Sequence, residues 1–271
     1  MTSGSVVLVG AGNMGGAMMR GWLASGIEPG SIVVVDPSPQ PAMAEYLKTN
    51  GIRHYVSAPS DVTALALVIA VKPQMMGTVL PQLKPLVGAD TVSISIAAGT
   101  PIATMERHLG ETAIVRSMPN TPAMVGRGIT AAVANGLVDK AQHDRAHRLL
   151  AVTGPVEWLD DEGLLDAVTA VSGSGPAYIF YLVECMAEAG RKAGLDADLS
   201  MRLARATVSG AGELLFQSDD EAATLRKNVT SPGGTTAAAL EVLMREGGMQ
   251  ALFDEALAAA AQRSRELAEH G

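Results

Sequence analysis

Val6-Val7-Leu8-Val9-Gly10-Ala11-Gly12-Asn13-Met14-Gly15 is an aliphatic run that breaks into a glycine-rich turn and continues into a helix-like stretch over residues 17–25. Four consecutive aliphatic residues suit a strand covered on both faces. The glycines follow G-x-G-x-x-G spacing, and each position has its own reason to lack a side chain. The first permits a sharp turn, the second lets backbone approach a pyrophosphate, and the third lets helix and strand pack closely. The helix N-terminus that follows presents unpaired N–H groups and partial positive charge to phosphate oxygens. Three glycines in a turn are common. Set between a strand and a helix they predict a dinucleotide site, with Gly10, Ala11, Gly12, Asn13, Met14 and Gly15 as its cofactor-binding residues.

The alternation continues to about Leu159. Apolar runs at 32–35, 66–71, 92–96, 113–118, 129–133 and 156–159 read as strands, and 42–50, 102–109 and 140–152 as helices stopped by Gly51, Gly110 and Gly154. Strands alternating with helices predict βαβ units and a mainly parallel sheet. Past Glu162 the strand-like runs give way to helical stretches at 177–193, 198–217, 219–227, 236–245 and 249–269. Gly194 closes the first of these, Ser218 with Glu221 matches a capping box, and Gly247-Gly248 separates the last two. The expected fold is α/β, with an N-terminal Rossmann-type dinucleotide-binding domain over 1–162 and a C-terminal all-helical dimerisation domain over 163–271. Dimerisation is expected because stretches such as 177–187 are apolar around most of their circumference, which demands more cover than one small layer supplies.

Composition narrows the class. A chain of 271 residues has ample length for one large domain or two ordinary ones. Its formal net charge of -8 argues against a nucleic-acid partner and leaves a small anionic ligand open. The longest aliphatic run, 64–71, is too short to cross a bilayer, and the N-terminus lacks a basic flank with a cleavable apolar segment, so no membrane partner and a cytoplasmic location are expected. The single cysteine, Cys185, cannot form an internal disulfide and, in its apolar setting, reads as buried packing rather than a nucleophile. His143 and His147 lie one helical turn apart without an evident third ligand. They read as a solvated helix face, and no metal is expected.

Several loops follow strands at the edge where a doubly wound sheet receives ligands. Val71-Lys72-Pro73 follows one, Ala97 opens the loop after the next, and Asn120 lies in the loop after that. All five residues join the cofactor set. Asp36 ends the second strand, where an acid accepts hydrogen bonds from the adenosine ribose, with Ser38 beside it; turn chemistry in Asp36-Pro37-Ser38-Pro39 is the competing role. A carboxylate there favours NADH, whereas Ser38, with Lys72 or Arg53 folded inward, suits a 2′-phosphate. The cofactor is therefore NADPH or NADH. A second informative stretch, Asn228-Val229-Thr230-Ser231-Pro232-Gly233-Gly234-Thr235-Thr236, is a loop opening onto a helix. The hydroxyls of Ser231 and Thr235 and the exposed amides at Gly233 and Gly234 can hold a carboxylate without an arginine, and Thr236 adds a neutral hydroxyl for a reacting nitrogen. An ordinary N-cap after a Pro-Gly turn is the alternative. The small residues of Ser172-Gly173-Ser174-Gly175-Pro176-Ala177-Tyr178 would let a cofactor, or another backbone, come near, and packing at a domain hinge is the competing role.

Taken in order, Gly10 to Gly15, Ala70-Val71-Lys72-Pro73, Met118-Pro119-Asn120-Thr121-Pro122, the 172–178 stretch and, most specifically, 229–236 followed by Ala239-Leu240 resemble the pyrroline-5-carboxylate reductases over essentially the whole chain. The resemblance implies reduction of 1-pyrroline-5-carboxylate to L-proline by a homodimer, or a higher oligomer, whose helical domains interlock. It implies that Thr236 hydrogen-bonds the imine nitrogen, that Ser231, Gly234 and Thr235 surround the substrate carboxylate, and that Asn228 and the Asn120 loop lie near the nicotinamide. Each active site would combine one subunit's cofactor domain with the other's helices. Gly233 and Glu162 are counted with the substrate-binding residues. Asp36 stands where many NADPH-preferring members carry a small polar residue. A protonated cyclic imine already has an electrophilic carbon, so orientation and exclusion of water suffice, and the lack of an obvious His or Lys catalyst is consistent. A 3-hydroxyacid dehydrogenase would need a lysine on the helix after Gly175, where the first is Lys192. A dinucleotide-sensing binding module would leave 231–236 without a purpose.

Overall fold

The computed structural model describes residues 4–269. Within them β1 (Ser5–Val9), β2 (Ile32–Val35), β3 (Arg53–Tyr55), β4 (Ala64–Ile69), β5 (Val87–Ser95), β6 (Ala113–Pro119), β7 (Thr130–Ala134) and β8 (Val156–Trp158) form one sheet in the order 3-2-1-4-5-6-7-8. Neighbours are parallel except β6 and β7. The central strands are aliphatic on both faces because both faces are covered. On one side lie α3 (Met76–Leu83) and α4 (Ile102–Leu109), whose Leu80, Leu83 and Met105 meet Val7, Leu67 and Ile69. On the other lie α1 (Asn13–Ala24), α2 (Pro41–Thr49) and α5 (Lys140–Leu150), whose Met18, Trp22, Leu47 and Leu149 meet Leu8, Val34 and Val68. Trp22 is fully enclosed, and its indole N–H donates to the Leu149 carbonyl at 2.8 Å, so the large ring is buried without an orphaned donor. The chain divides into two compact units, one of residues up to Gly173 together with those from Ala260 on, the other spanning Ser174–Ala259.

The first unit departs from the sequence expectation in two elements. β3 carries Arg53 and His54 in place of an apolar run, and it is a strand because it pairs with β2 at the sheet edge. Helix α3 contains Pro81, yet Met76, Leu80 and Leu83 fall on one face and are buried, so packing overrides the weak local propensity. Arg53 is also held away from any role toward a 2′-phosphate. Its guanidinium donates to Ser5 Oγ (2.8 Å) and to the Gly30 carbonyl (3.2 Å), at the ends where β1 and β2 begin. After α6 (Leu165–Val168) comes a single π-turn, Thr169–Gly173.

The second unit is helical: α7 (Gly175–Lys192), α8 (Ala197–Gln217), α9 (Ala222–Asn228), α10 (Thr235–Leu243) and the first part of α11 (Met249–Glu269). Helices α7 and α8 approach closely through small residues. Ser200 Oγ donates to the Ala187 carbonyl at 2.5 Å, and a Cβ on Gly190 would overlap the Ser200 Oγ. Ser218 and Glu221 do not form the expected capping box. Helix α9 starts at Ala222, one residue past Glu221, and Ser218 Oγ instead accepts from the Asp220 N–H at 3.0 Å in a local turn. Cys185 is exposed, not buried, because the apolar side of α7 that bears it is left open by this chain: Phe180 and Tyr181 are 64% and 66% exposed. Among the described residues no helix is long and apolar enough to cross a membrane.

Candidate active site

The glycine turn has the geometry that its spacing called for. Gly10 has φ +89°, a conformation that L side chains rarely adopt, and a Cβ there would lie 2.7 Å from the Ala70 carbonyl oxygen at the end of β4. A Cβ on Gly15 would overlap the Gly10 carbonyl oxygen, so helix and turn can touch only at a glycine. Gly12 faces open space: nothing lies within 4 Å of where its Cβ would be. Helix α1 begins directly after Gly12 with no side-chain cap, leaving its first-turn N–H groups for an anion. Asn13, Met14 and Gly15 thus belong to the helix's first turn, earlier than the expected start near residue 17. A pyrophosphate fits this cradle in shape and charge.

Asp36 closes the turn. Its two carboxylate oxygens accept from the Ala11 N–H (2.8 Å) and the Ser38 N–H (2.9 Å), tying the glycine loop to the end of β2. His54 contributes a ring nitrogen 2.8 Å from the Asp36 carbonyl oxygen, a contact that no local motif announces. Val71, Lys72 and Pro73 follow β4, with Lys72 preceding a short 3-10 turn over Pro73–Met75. Ala97 is buried past the end of β5, and Asn120 precedes the Thr121–Val125 turn while its Oδ1 accepts from the Ile129 N–H at 3.0 Å. All of these lie at the carboxyl edge of the sheet, in the first unit. Asp36→Ala is expected to weaken NADH about tenfold and NADPH less, because the lost loop bracing is common to both while only a 2′-phosphate gains from removal of a like charge. Equal losses in titrations with the two dinucleotides would leave Asp36 with bracing alone.

Glu162 is engaged within the first unit. Its Oε1 accepts from Arg116 Nη1 at 2.7 Å and from the Ile102 N–H at 2.9 Å, so one carboxylate neutralises a cation in β6 and caps the start of α4. Arg116 is only 7% exposed. A charged residue inside the apolar run of β6 was the available signal for this pair. Glu162→Ala leaves a buried guanidinium unpaired and is expected to cost about 2–3 kcal/mol, less than for a fully buried pair because Glu162 is partly solvated. Thermal melts should show a fall of several degrees. Replacing both Glu162 and Arg116 by methionine should cost less than Glu162→Ala alone. A raised KM in the still-folded Glu162→Ala protein would add the substrate contact expected from sequence.

In the second unit, residues 228–236 join α9 to α10 without a charged side chain. Gly234 donates to the Ser231 carbonyl at 3.0 Å, Gly233 takes φ +67°, and Gly234 opens α10 with no side-chain cap. Thr230 turns back to α9, its hydroxyl donating to the Arg226 carbonyl at 2.6 Å. Ser231 and Thr235 are exposed, Thr236 is half-buried in the first turn of α10, and Asn228, the last residue of α9, is exposed. The ordinary side-chain N-cap is therefore not what these hydroxyls form. The arrangement offers several neutral donors to a small carboxylate at the positive end of a helix.

His143 and His147 do more than face solvent. His143 stacks on Trp158 at 4.0 Å between ring centres, and the Trp158 indole N–H reaches His147 Nδ1 at 3.2 Å. Among the described residues no group of three or more His, Cys, Asp or Glu side chains is placed to hold a metal.

Comparison with known proteins gives a consistent result. Residues 162–267 match the family profile described as pyrroline-5-carboxylate reductase dimerisation, and residues 5–99 match one described as NADP oxidoreductase, coenzyme F420-dependent. The pyrroline-5-carboxylate reductase of Pseudomonas aeruginosa is 41% identical, covering 99% of this chain and 98% of its own. The solved structure of a pyrroline-5-carboxylate reductase from Coxiella burnetii is 35% identical with a TM-score of 0.88, covering 98% of this chain and 99% of that one. That of the Plasmodium falciparum enzyme, with NADP bound, is 30% identical with a TM-score of 0.81 and covers 99% of each chain.

Proposed function

The chain belongs to the pyrroline-5-carboxylate reductase family, and from that premise we propose which residues carry the reduction of 1-pyrroline-5-carboxylate to L-proline, the closing step of proline biosynthesis. The cofactor is NAD(P)H. When bound, it supplies a hydride to the imine carbon, and one proton ends on the ring nitrogen. We assign dinucleotide binding to residues 1–162, with the pyrophosphate on the amides after Gly12 and the ribose beside Asp36 and Ser38. Helical dimerisation and substrate binding fall to 163–271. Ser231, Gly233, Gly234 and Thr235 hold the substrate carboxylate. Thr236 hydrogen-bonds the imine nitrogen, orienting the ring rather than supplying a strong acid, since the protonated imine is already electrophilic.

The observation that carries these roles is the uncharged loop at the start of α10, where Gly234 leaves the helix uncapped by any side chain. The functional unit is a homodimer formed through the helical half, supported by the dimerisation profile over 162–267 and by exposed apolar residues such as Phe180, Leu214 and Leu252. Whether dimers associate further is read by sedimentation. A cytoplasmic, small-molecule enzyme without a nucleic-acid partner suits the charge of -8 and the single cysteine. The test is addition of the pyrroline carboxylate to purified protein with NADPH or NADH. Loss of reduced-nicotinamide absorbance is expected, and none with either dinucleotide, while dinucleotide binding is intact, would remove the reductase role.

A further inference from the structure

The loop between β5 and α4, residues 96–101, is covered by the far end of the chain. Helix α11 begins in the second unit, but its residues from Ala260 on belong to the first. Two contacts within the first unit fix its last turns. Ser264, 4% exposed, donates its hydroxyl to Asp166 Oδ1 at 2.6 Å, in α6 shortly after Glu162. A turn further on, α11 lies over Gly99: a Cβ built on that glycine would be 3.3 Å from the Leu267 Cβ and 3.7 Å from the Ala268 nitrogen. Gly99 is buried and has φ +65°. It answers both a backbone conformation that favours glycine and a helix that leaves little room for a side chain.

The ends of this loop are held from elsewhere. Ser95 Oγ accepts from the Ala97 N–H at 3.2 Å, and Glu162 Oε1 accepts from the Ile102 N–H where α4 begins. Between them α11 supplies the cover, by apolar contact at Gly99 and by the hydrogen bond that anchors it to Asp166. A loop of glycine and small side chains has many backbone conformations to lose, and a contact from outside selects among them. The place of the loop gives that contact its use. A dinucleotide lies across the carboxyl ends of a doubly wound sheet with one half on each side of the switch between β1 and β4. The side bearing Asp36 takes the adenosine, so the end of β5 falls on the nicotinamide side. We propose that the end of α11 is a strap holding the β5–α4 loop in the conformation that receives the nicotinamide, with Ser264 and Leu267 as positioning residues that touch neither cofactor nor substrate. This rests on the reductase reading above.

The test compares wild type with Ser264→Ala, with Asp166→Asn, whose amide oxygen can still accept from Ser264, and with a chain ending at Arg263. Each is titrated with the preferred reduced dinucleotide and with the corresponding ADP-ribose fragment, which lacks the nicotinamide. Apparent affinity falls by the fraction of time the loop spends in the receptive conformation. Dinucleotide affinity is expected to fall about tenfold in the shortened chain and about threefold in Ser264→Ala, and to stay near wild type in Asp166→Asn. Fragment affinity should be that of wild type in all three. Ser264→Ala removes only a hydroxyl and carries the decision whether or not the shortened chain folds. A role in stability alone would lower its melting temperature and leave the affinities of the folded protein as they were. Unchanged dinucleotide affinity in Ser264→Ala, or equal weakening of both ligands, would therefore overturn the strap. A wild type that binds neither ligand would overturn the reductase reading and the strap with it.

Discussion

Gly15→Ala is expected to abolish dinucleotide binding, by a hundredfold or more, and to lower the melting temperature. The added Cβ would overlap the Gly10 carbonyl oxygen, a backbone atom that cannot rotate aside as a side chain could. Helix α1 would have to leave the turn, and misfit of this kind costs about 3 kcal/mol, equivalent to roughly a hundredfold in an equilibrium. The helix start that faces the phosphates would move with it. Gly12→Ala is the control, since its Cβ would meet nothing within 4 Å. That variant should melt like wild type yet bind dinucleotide more weakly, because the methyl occupies space meant for the pyrophosphate. Calorimetric titration and thermal melts of the two variants separate the roles, and wild-type affinity in Gly15→Ala would remove the glycine turn from the site.

Thr236→Ala should lower kcat between tenfold and a hundredfold with dinucleotide affinity unchanged. The hydroxyl is assigned to the imine nitrogen, and loss of a positioned group at a reacting centre has effects of about that size or larger. Misfolding is not the expected cause, because alanine is the better helix former and Thr236 lies in the first turn of α10, where its side chain caps nothing. Thr236→Ser, which keeps the hydroxyl, should recover much of the rate. Steady-state kinetics with saturating NADPH or NADH reads the result, and an unchanged kcat in Thr236→Ala would exclude the residue from the mechanism.

What could be read in the sequence is what depends on local chemistry. The glycine turn announces itself because its requirements, a positive φ at Gly10 and close approaches at Gly15, fall on neighbouring residues. β2 and α4 lie where apolar periodicity and a terminal glycine placed them, at Ile32–Val35 and Ile102–Leu109. β3 escaped notice because its strand character comes from pairing with β2, and α3 because Pro81 argues against a helix that burial of Leu80 and Leu83 restores. The candidate site divides in the same way. Hydroxyls and glycines at 231–236 are visible as a motif, whereas the use of Asp36 to hold the Ala11 N–H, or of Glu162 to hold Arg116, depends on residues 25 and 46 positions apart.

Hydride transfer itself is tested most directly by supplying NADPH, or NADH, that carries deuterium at both C4 positions, together with 1-pyrroline-5-carboxylate, and analysing the product by mass spectrometry. The assignment predicts proline formed in equal amount to the oxidised dinucleotide, with one deuterium on the ring carbon next to nitrogen. Proline without the label, or no proline with either dinucleotide, would contradict it.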